Sequence, residues 1–505
     1  MSPAVLDRPI IAPCRVAARY RALWLTKPAP SRSAALTGAI WEEAPRRLTH
    51  LGQRDGPGIF LANGGRLSLE PDGWLRFETP ECRSPSLALL YIRAAEVTLL
   101  GLTGPVSEAA GLPIGIERAR TSWEETFLTG DAVEHRPAQL LPFLISRLTY
   151  GGAGGFEPDV ANLRFVMSTA PYRPGVRLGQ LVATVRPGRF RLPSRAEPGS
   201  RLRIQVGDLG GSDPAAILSL GATLLVVHLA SRGLLGDPPV ELRRPLHAWK
   251  AFASDPSCRA TARLNPGGER SAIDLQRHYL AAVERHLAAL PGWAPELCGQ
   301  WRSALDRLAA GQQVGWIEWQ RRLERSERRI RLEPTWKELG GWNDRWAAVL
   351  REAGVDRNAV TSESDPAAVD QAVARWVAAG GPGAQGALGY LRVRRGVAEL
   401  DAESDRVGLG DHTDGLVGPE QIENARVSAP PDTRAAVRGK WVRRLGATEQ
   451  RVRFRCDWHG VWDQIAGTSI DLSDPEAARA EWRPEGAATG QGDLFSGLRD
   501  WLDRF

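Results

Sequence analysis

The stretch of sequence that decides the fold is Gly58-Ile-Phe-Leu-Ala-Asn-Gly-Gly-Arg-Leu-Ser-Leu69. Two short apolar runs flank its Asn-Gly-Gly segment. This arrangement predicts a β-hairpin, because Asn and Gly accept the positive φ angles of a tight turn. From Trp74 to Glu81 apolar and polar residues alternate, which predicts a further strand. These strands lie close together in sequence and indicate a sheet in the first part of the chain.

The remaining patterns place strands and helices in different parts of the chain. Further strands are predicted at residues 10–16, 142–150 and 202–206. Helices are predicted at residues 86–101, 214–233, 273–290, 296–310, 316–331 and 494–505. Because strands crowd the first 210 residues and helices occupy the middle, the pattern predicts the α+β class.

Length and composition indicate a globular chain with more than one domain. The 505 residues are 43% hydrophobic and 25% charged, as in ordinary folded proteins. Such a length predicts roughly two to four domains, or one large domain with a small one attached. Glycine-rich and acidic stretches between residues 363 and 418 indicate an insertion. We therefore predict a large domain over residues 1–425 and a small domain over residues 426–505.

Charge, cysteine content and hydropathy argue against several classes of protein. A net charge of +6, spread over a large surface, does not by itself indicate nucleic-acid binding. The five cysteines form no C-x-x-C pair, which is typical of a reduced cytoplasmic protein. The longest apolar run, residues 215–230, is shorter than the roughly 20 residues of a membrane span. We therefore expect a buried helix there and a soluble, cytoplasmic protein.

Motifs with a general chemical meaning do not explain the chain. The sequence contains no G-x-x-x-x-G-K-[ST] phosphate loop, no H-E-x-x-H zinc motif and no G-x-S-x-G nucleophile elbow. Residues 381–386 match G-x-G-x-x-G formally. They follow a helical pattern rather than a strand, so we do not expect them to bind a dinucleotide.

A series of blocks, in conserved order along the chain, resembles one known family. Residues 63–70, Asn-Gly-Gly-Arg-Leu-Ser-Leu-Glu, and residues 78–82, Glu-Thr-Pro-Glu-Cys, resemble its N-G-A-R-L-Y-x-D and P-E-Y-x-T/A-x-E-C block. The family is that of the Pup ligase and the Pup deamidase (depupylase), the proteasome accessory factors. Six further blocks resemble the family in the same order: 141–147, 195–198, 201–208, 220–227, 272–279 and 430–439. The chain is identified as a divergent member.

The resemblance implies a glutamine-synthetase-like fold, in which helices back a concave, mostly antiparallel sheet and a small C-terminal domain follows. It also implies chemistry: the ligases use ATP and magnesium to phosphorylate the C-terminal carboxylate of a small disordered modifier and join it to a lysine. The deamidase branch hydrolyses the related amide or isopeptide bond. By position, the resemblance implies that Glu70, which stands where the family has Asp, is the catalytic carboxylate if the protein is active. It also implies that Arg195 and Arg203 bind nucleotide and that Glu81 and Glu125 are metal ligands.

The sequence departs from the family where the metal should bind. The family's first strand carries two glutamates in G-x-E-x-E-Y-G, whereas this chain has no Asp or Glu from Arg8 to Trp41. Arg76 replaces the Glu of P-E-Y, and Arg203 replaces a family His. Arginine cations would repel a metal ion. The departures predict a catalytically degenerate protein, with ATP and magnesium as cofactors only if the ancestral site still functions.

Three functions stay open at this point. The first is a binding or regulatory subunit of a pupylation-like pathway, whose partner is a small acidic disordered modifier or an active paralogue. The second is an active ATP-dependent carboxylate–amine ligase or isopeptide hydrolase that uses Glu70. The third is a nucleic-acid-binding protein that uses the arginine-rich helix at residues 316–331, which the modest net charge disfavours.

The arginine-rich helix allows two interpretations of its own. Its Glu and Arg residues recur at i,i+4 spacing, which is typical of a solvated face whose charges pair with each other. Alternatively, the helix captures an acidic partner. Trp316 and Trp319 would then be apolar anchors, and Arg321, Arg325 and Arg328 would supply the complementary charge.

Overall fold

Most of the chain has a defined place in the computed structural model. The residues that the structure describes are 13–25, 31–120, 123–128, 137–157, 164–172, 176, 182–185, 201–208, 212–236, 240–330, 371, 374–380, 393, 396–397, 399–401, 403–406, 416–431, 433–472 and 482–484. The predicted helix at 494–505 and most of the insertion at 363–418 lie outside these ranges.

The described residues form strands and helices with the following bounds. The strands are β1 Cys14–Trp24, β2 Ser31–Arg32, β3 His50–Gln53, β4 Ile59–Leu61, β5 Arg66–Leu69, β6 Leu75–Glu78, β7 Ile114–Arg118, β8 Glu124–Leu128, β9 Gly155–Phe156, β10 Phe165–Val166, β11 Val182–Val185, β12 Arg201–Ile204, β13 Glu241–Leu242, β14 Thr261–Asn265, β15 Glu269–Ser271, β16 Phe454–Cys456, β17 Gly460–Asp463, β18 Thr468–Asp471 and β19 Trp482–Pro484. The helices are α1 Ala34–Arg47, α2 Pro85–Ala110, α3 Pro137–Ser146, α4 Leu148–Gly151, α5 Asp213–Ser231, α6 Pro245–Ala253, α7 Ala272–Glu284, α8 Ala294–Ala309, α9 Glu318–Ile330, α10 Pro419–Val427 and α11 Arg434–Gly446.

One large sheet organises the described part of the chain. Its strands follow the order β11-β12-β8-β1-β6-β5-β4-β3-β16-β17-β18-β19, and β2 and β7 also pair with β1. Within the described ranges, every pairing in this sheet is antiparallel except that of β3 with β16. The α+β class and the mostly antiparallel sheet are therefore confirmed.

The hairpin predicted from Asn-Gly-Gly is confirmed as β4 and β5, and β6 follows as the predicted third strand. Gly64 has a φ of +78°. A Cβ atom on Gly64 would also lie 2.8 Å from the carbonyl oxygen of Ala435. Both the positive φ angle and this close approach therefore exclude a larger residue. The Asn63 side chain accepts a hydrogen bond from the Gly65 amide and donates one to the carbonyl of Ala425. The turn therefore also fixes the helix that follows the insertion.

Strand β1 lies inside the sheet and separates a buried core face from a polar face. Alternation places Cys14, Val16, Ala18, Tyr20 and Ala22 in the hydrophobic core. Helices α1 and α2 cover this face and contact β1. Helix α2 begins after the N-cap Ser84 and ends at Gly111 in the left-handed conformation, which is a common way for a helix to end. The opposite face of β1 carries arginines.

The strand predicted at residues 142–150 is wrong, because this segment forms α3 and α4. The run from Leu140 to Ile145 is apolar almost throughout, and such a run does not distinguish a buried strand from a buried helix by its periodicity. Helix packing settles the choice: Gln276 of α7 donates hydrogen bonds to the carbonyl of Phe143 and to the hydroxyl of Ser146. The other predicted helices within residues 86–331 are confirmed, with bounds shifted by a few residues.

The C-terminal segment continues the large sheet through the pairing of β16 with β3. Helix α10 spans the predicted boundary at residue 425 and packs against α2. The division into domains at that position stays a prediction. Helices α2 and α5 are long and apolar enough to cross a membrane, but 67% and 83% of their most apolar windows are buried inside the protein, as in core helices. The buried helix predicted at residues 215–230 is confirmed.

Candidate functional site

A polar cleft of about 560 Å³ lies over one face of the sheet, where β5, β6, β8 and β12 surround β1. Its lining is mostly charged and small polar side chains, with a few apolar residues and one tryptophan from the C-terminal segment: Arg15, Pro57, Arg66, Ser68, Leu69, Glu70, Pro71, Arg76, Glu78, Glu124, Thr126, Arg203 and Trp458. A cleft of this size, with polar groups converging from several strands, is the best candidate site in the described part of the chain.

Arginines dominate the polar face of β1. Arg15, Arg19 and Arg21 lie an even number of residues apart and therefore share one face of the strand with Ala17. All three lie over aromatic rings: Arg15 is 4.0 Å from the ring centre of Trp458, and Arg21 and Arg19 are 4.1 Å and 5.2 Å from that of Trp74. The central strand therefore offers cations where a metal site would require carboxylates.

Three carboxylates in the cleft converge on the guanidinium of Arg76. Its Nε lies 2.8 Å from Glu78, one Nη lies 2.6 Å from Glu124, and the other lies 3.8 Å from Glu70. Each carboxylate also pairs with a second arginine. These outer pairs are Arg19–Glu70 at 2.5 Å, Arg66–Glu78 at 3.1 Å and Arg203–Glu124 at 2.6 Å.

This environment strongly favours the charged form of Glu124. Burial alone would raise its pKa, but the charges of Arg76 and Arg203 outweigh burial and hold the pKa at about 2, below the usual 4.5. The pKa of Glu78 is likewise lowered: burial opposes the shift, and Arg76 and Arg66 cause it. Both groups are therefore anions committed to arginine at neutral pH.

We expect the pairing of Glu124 to make stability depend on pH in the acid range. Because its pKa is lower in the folded than in the unfolded chain, its contribution is present above about pH 4.5 and is lost as the pH falls towards 2. The free energy of unfolding of the wild type should exceed that of Glu124→Gln by on the order of 1–3 kcal/mol at pH 6, and this difference should shrink by pH 3. Urea unfolding of both proteins at each pH measures it; a difference that does not change with pH would contradict the assignment.

Glu81, predicted to be a metal ligand, is a structural counter-ion instead. Its side chain is 1% exposed and pairs with Arg434 at 2.9 Å and with Arg438 at 2.6 Å, one arginine on each carboxylate oxygen. Burial would raise its pKa, but Arg438 and Arg434 hold it well below its usual range. With both oxygens held by buried guanidinium groups from α11, Glu81 has no free oxygen for a metal.

Glu125, the second predicted metal ligand, points away from the cleft. Its neighbour Glu124 lines the cleft, so alternation turns Glu125 to the opposite face of β8. There it is fully buried and accepts hydrogen bonds from Arg147 at 2.9 Å and from the indole of Trp123 at 2.6 Å. Burial raises its pKa despite the charge of Arg147.

The residues present do not fit the magnesium ion and ATP phosphates that the resemblance implies. Within the described ranges, no group of three or more His, Cys, Asp or Glu side chains could hold a metal ion. The carboxylates that line the cleft are neutralised by arginines, and β1 adds further cations. A second cation placed among these guanidinium groups would be repelled.

The other predicted site residues are only partly brought together. Glu70 lines the cleft and is 24% exposed, so it remains accessible. Arg203 also lines the cleft, although it is paired with Glu124. Arg195, predicted with Arg203 to bind nucleotide, lies outside the described residues.

The predicted partner surface on α9 is wrong in part. Trp319 is 2% exposed, and its indole donates a hydrogen bond to the carbonyl of Thr149, so it belongs to the core. Trp316 is half-buried and packs against that core. Arg325 pairs with buried Glu318 at 3.0 Å, whereas Arg328 pairs with Glu324 near the surface.

The helix therefore offers little apolar surface to a partner. Arg321 donates to the carbonyl of Gly315 within the chain itself. The neighbouring Arg322 is buried against Asp401 and Asp405. A nucleic-acid role for this helix gains no support from such internal pairing.

Sequence reasoning missed the arginines that define the cleft and its border: Arg15, Arg19, Arg66, Arg434 and Arg438. One signal was available, since Arg15, Arg19 and Arg21 lie an even number of residues apart in a segment that lacks acidic residues, although the predicted strand ended at residue 16. The partners of Glu81 carried no comparable signal, because they lie more than 350 residues away along the chain.

Comparison with known proteins identifies relatives for most of the chain. The family model described as "Pup-ligase protein" matches residues 26–376. A Pup–protein ligase of Acidimicrobium ferrooxidans is 26% identical over 453 residues, which are 84% of this chain and 88% of that protein. A Pup deamidase/depupylase of Mycolicibacterium smegmatis is 29% identical over 246 residues, which are 45% of this chain and 48% of that protein.

Solved structures share the fold at lower sequence identity. The complex between the prokaryotic ubiquitin-like protein Pup and its ligase PafA matches with a TM-score of 0.67 and 17% identity over 93% of this chain and 90% of the ligase. The PafA ligase in complex with ADP matches with a TM-score of 0.60 and 17% identity over 88% of this chain and 90% of that one. These likenesses confirm the predicted glutamine-synthetase-like fold.

Proposed function

Because the chain belongs to the Pup-ligase family, we propose that it is a member that binds without catalysing magnesium-dependent phosphoryl transfer. Its role in a pupylation-like pathway is to hold a small acidic, Pup-like modifier, or an active paralogue that carries one. The ligase that shares its fold was solved in complex with Pup, which supports this class of partner. We place the protein in the cytoplasm on the basis of its composition.

The observation that carries this proposal is the replacement of metal ligands by arginine in the cleft. Phosphoryl transfer from ATP depends on metal ions that bridge the phosphates and neutralise their charge. Here Glu70, Glu78 and Glu124 are each held by two arginines. A protein with this charge arrangement can still attract an acidic segment through its unburied arginines. Among the residues that the structure describes, however, no group of carboxylates could fix magnesium.

An active ligase or isopeptide hydrolase is the second candidate. Several relatives are named as ligases or depupylases, and Glu70 lies accessible in the cleft at the position of the family's catalytic carboxylate. The pairing of Glu70 with Arg19 opposes this candidate, because Arg19 already engages the Oε2 oxygen of Glu70 at 2.5 Å.

Direct binding tests the proposed function. A fluorescent Pup-like peptide should bind the full chain with an affinity that does not change when magnesium and ATP are added, and that falls as salt increases. Fluorescence anisotropy, in parallel with an active Pup ligase as the positive control, measures both effects. Absence of binding at low salt would remove the modifier as a partner.

Charge reversal on α9 tests whether this helix contributes to that binding. The double variant Arg321→Glu with Arg328→Glu should lower the affinity for the peptide by only a few-fold, because these charges are screened by salt and partly paired. Arg325 is left unchanged because it pairs with Glu318. Charge reversal at Arg325 would place a second carboxylate beside that of Glu318. Arg263→Glu with Arg302→Glu, exposed arginines on β14 and α8, is the matched control. If the two double variants bind the peptide with equal affinity, α9 does not contribute to the binding site.

A further inference from the structure

The contacts of Arg76 differ in kind from those of the other arginines in the cleft. Each of its three guanidinium nitrogens faces a different carboxylate: Nη1 faces Glu70, Nε faces Glu78 and Nη2 faces Glu124. In each case the facing atom is the Oε1 oxygen. One cation therefore sits at the common centre of three acidic groups that come from three strand segments.

The sheet register explains why the carboxylates meet there. Ala17 of β1 pairs with Glu78 on one side and with Glu124 on the other. Residues paired across antiparallel strands point to the same face, so both glutamates rise beside the small side chain of Ala17. Arg76, two residues before Glu78 on β6, extends its guanidinium into the space between them.

The outer arginines hold the carboxylates in this orientation. Arg19 contacts the Oε2 oxygen of Glu70, and Arg203 contacts the Oε2 oxygen of Glu124. Arg66 contacts Glu78 on the oxygen that also faces Arg76. Removal of Arg76 would therefore leave three Oε1 oxygens around the space that its guanidinium occupies, while Arg19 and Arg203 still hold the Oε2 oxygens of Glu70 and Glu124. Carboxylate oxygens fixed in this way by neighbouring groups are the usual ligands of hard divalent cations.

We propose that the guanidinium of Arg76 is an internal cation that fills a divalent-cation site formed by Glu70, Glu78 and Glu124, and that its removal opens this site. The inference deepens the proposed function, because it names the side chain that keeps metal out of the cleft.

The test uses Mn²⁺ alone, with the full-length chain. Arg76→Ala should bind Mn²⁺ about tenfold more tightly than the wild type or better, measured by the loss of the electron paramagnetic resonance signal of free Mn²⁺. Mn²⁺ should also raise the thermal midpoint of Arg76→Ala by about 2 °C or more and leave the wild type unchanged. Adding Glu70→Gln to Arg76→Ala should weaken the binding, because one of the three ligands is lost.

Arg66→Ala is the matched control. Arg66 is 18% exposed against 14% for Arg76 and contacts one of the same carboxylates, but it does not face all three. It should therefore gain no Mn²⁺ binding. Equal binding by Arg66→Ala and Arg76→Ala would overturn the proposal, and so would Mn²⁺ binding by the wild type.

A variant that keeps hydrogen-bond donors guards against loss of folding. Arg76→Gln removes the charge and retains an amide near the carboxylates, and it is measured in the same way. If neither Arg76 variant is bound or stabilised by Mn²⁺, a divalent cation cannot replace the guanidinium and the proposal is wrong. That outcome would leave the predicted lack of turnover untouched, whereas turnover by the wild type would overturn the proposed function separately.

Discussion

Replacing Glu81 by alanine is expected to lower the free energy of unfolding by about 3–5 kcal/mol, because it strips two buried arginines of their counter-ion. Glu81, Arg434 and Arg438 are each no more than 1% exposed. Neither guanidinium can reach water without moving α11. Arg438 also donates two hydrogen bonds to the carbonyl of Gly64, so its displacement would disturb the turn between β4 and β5.

Urea unfolding of the wild type and of Glu81→Ala at neutral pH measures this difference in the free energy of unfolding. Asp306→Ala is the matched control, since Asp306 also pairs with an arginine, Arg277, at 2.7 Å, but both side chains are about half exposed. Exposed pairs contribute about 0–1 kcal/mol. If Glu81→Ala costs no more than Asp306→Ala, Glu81 is not the counter-ion that fastens α11 to the sheet.

The distinction between a metal ligand and a structural counter-ion could not be drawn from sequence. A glutamate at the Glu81 position is compatible with both roles, and the difference lies in its neighbours. Arg434 and Arg438 belong to a block that itself resembles the family, so their presence did not indicate that they pair with Glu81. Only the approach of α11 to the end of β6 brings the three charges together.

Local chemistry made the first strands predictable. The hairpin of β4 and β5 depends on Asn63 and Gly64, whose conformational preferences act within a few residues. Alternation then identified β6 and helical periodicity identified α5, α7 and α8. The strand prediction for residues 142–150 failed because their apolar run is buried among helices on several sides. In such a run the periodicity that distinguishes a strand from a helix is lost.

Only part of the candidate site could be predicted from the sequence: Glu70 and Arg203 line the cleft, whereas Arg15, Arg19 and Arg66 had been given no role. The absence of acidic residues from Arg8 to Trp41 and the presence of Arg76 and Arg203 predicted a cleft poor in metal ligands, and that stays a prediction. The sequence did not reveal that each cleft carboxylate would meet two arginines, because these pairs join residues on different strands. Register decides such contacts, and register becomes visible only in the folded sheet.

The same limitation explains the partial failure of the surface on α9. A helix that carries alternating Glu and Arg reads as fully solvated, yet Arg322 turns inward to Asp401 and Asp405, near the end of the insertion. Trp319 turns inward with it. Both contacts depend on segments distant in sequence, so the exposed part of the helix is narrower than its composition indicates.

The central claim, that this family member does not perform magnesium-dependent phosphoryl transfer, is tested most directly by measuring ADP formation. The purified chain is incubated with ATP, Mg²⁺ and a Pup-like peptide that ends in glutamate, beside an active Pup ligase. We expect no ADP above the blank without protein. This means a rate of ADP formation that is lower than that of the active ligase by roughly 10³-fold or more. The reason is that arginines occupy the cleft, whereas phosphoryl transfer from ATP depends on metal ions. ADP formation that requires Mg²⁺ and disappears in Glu70→Ala would contradict the account.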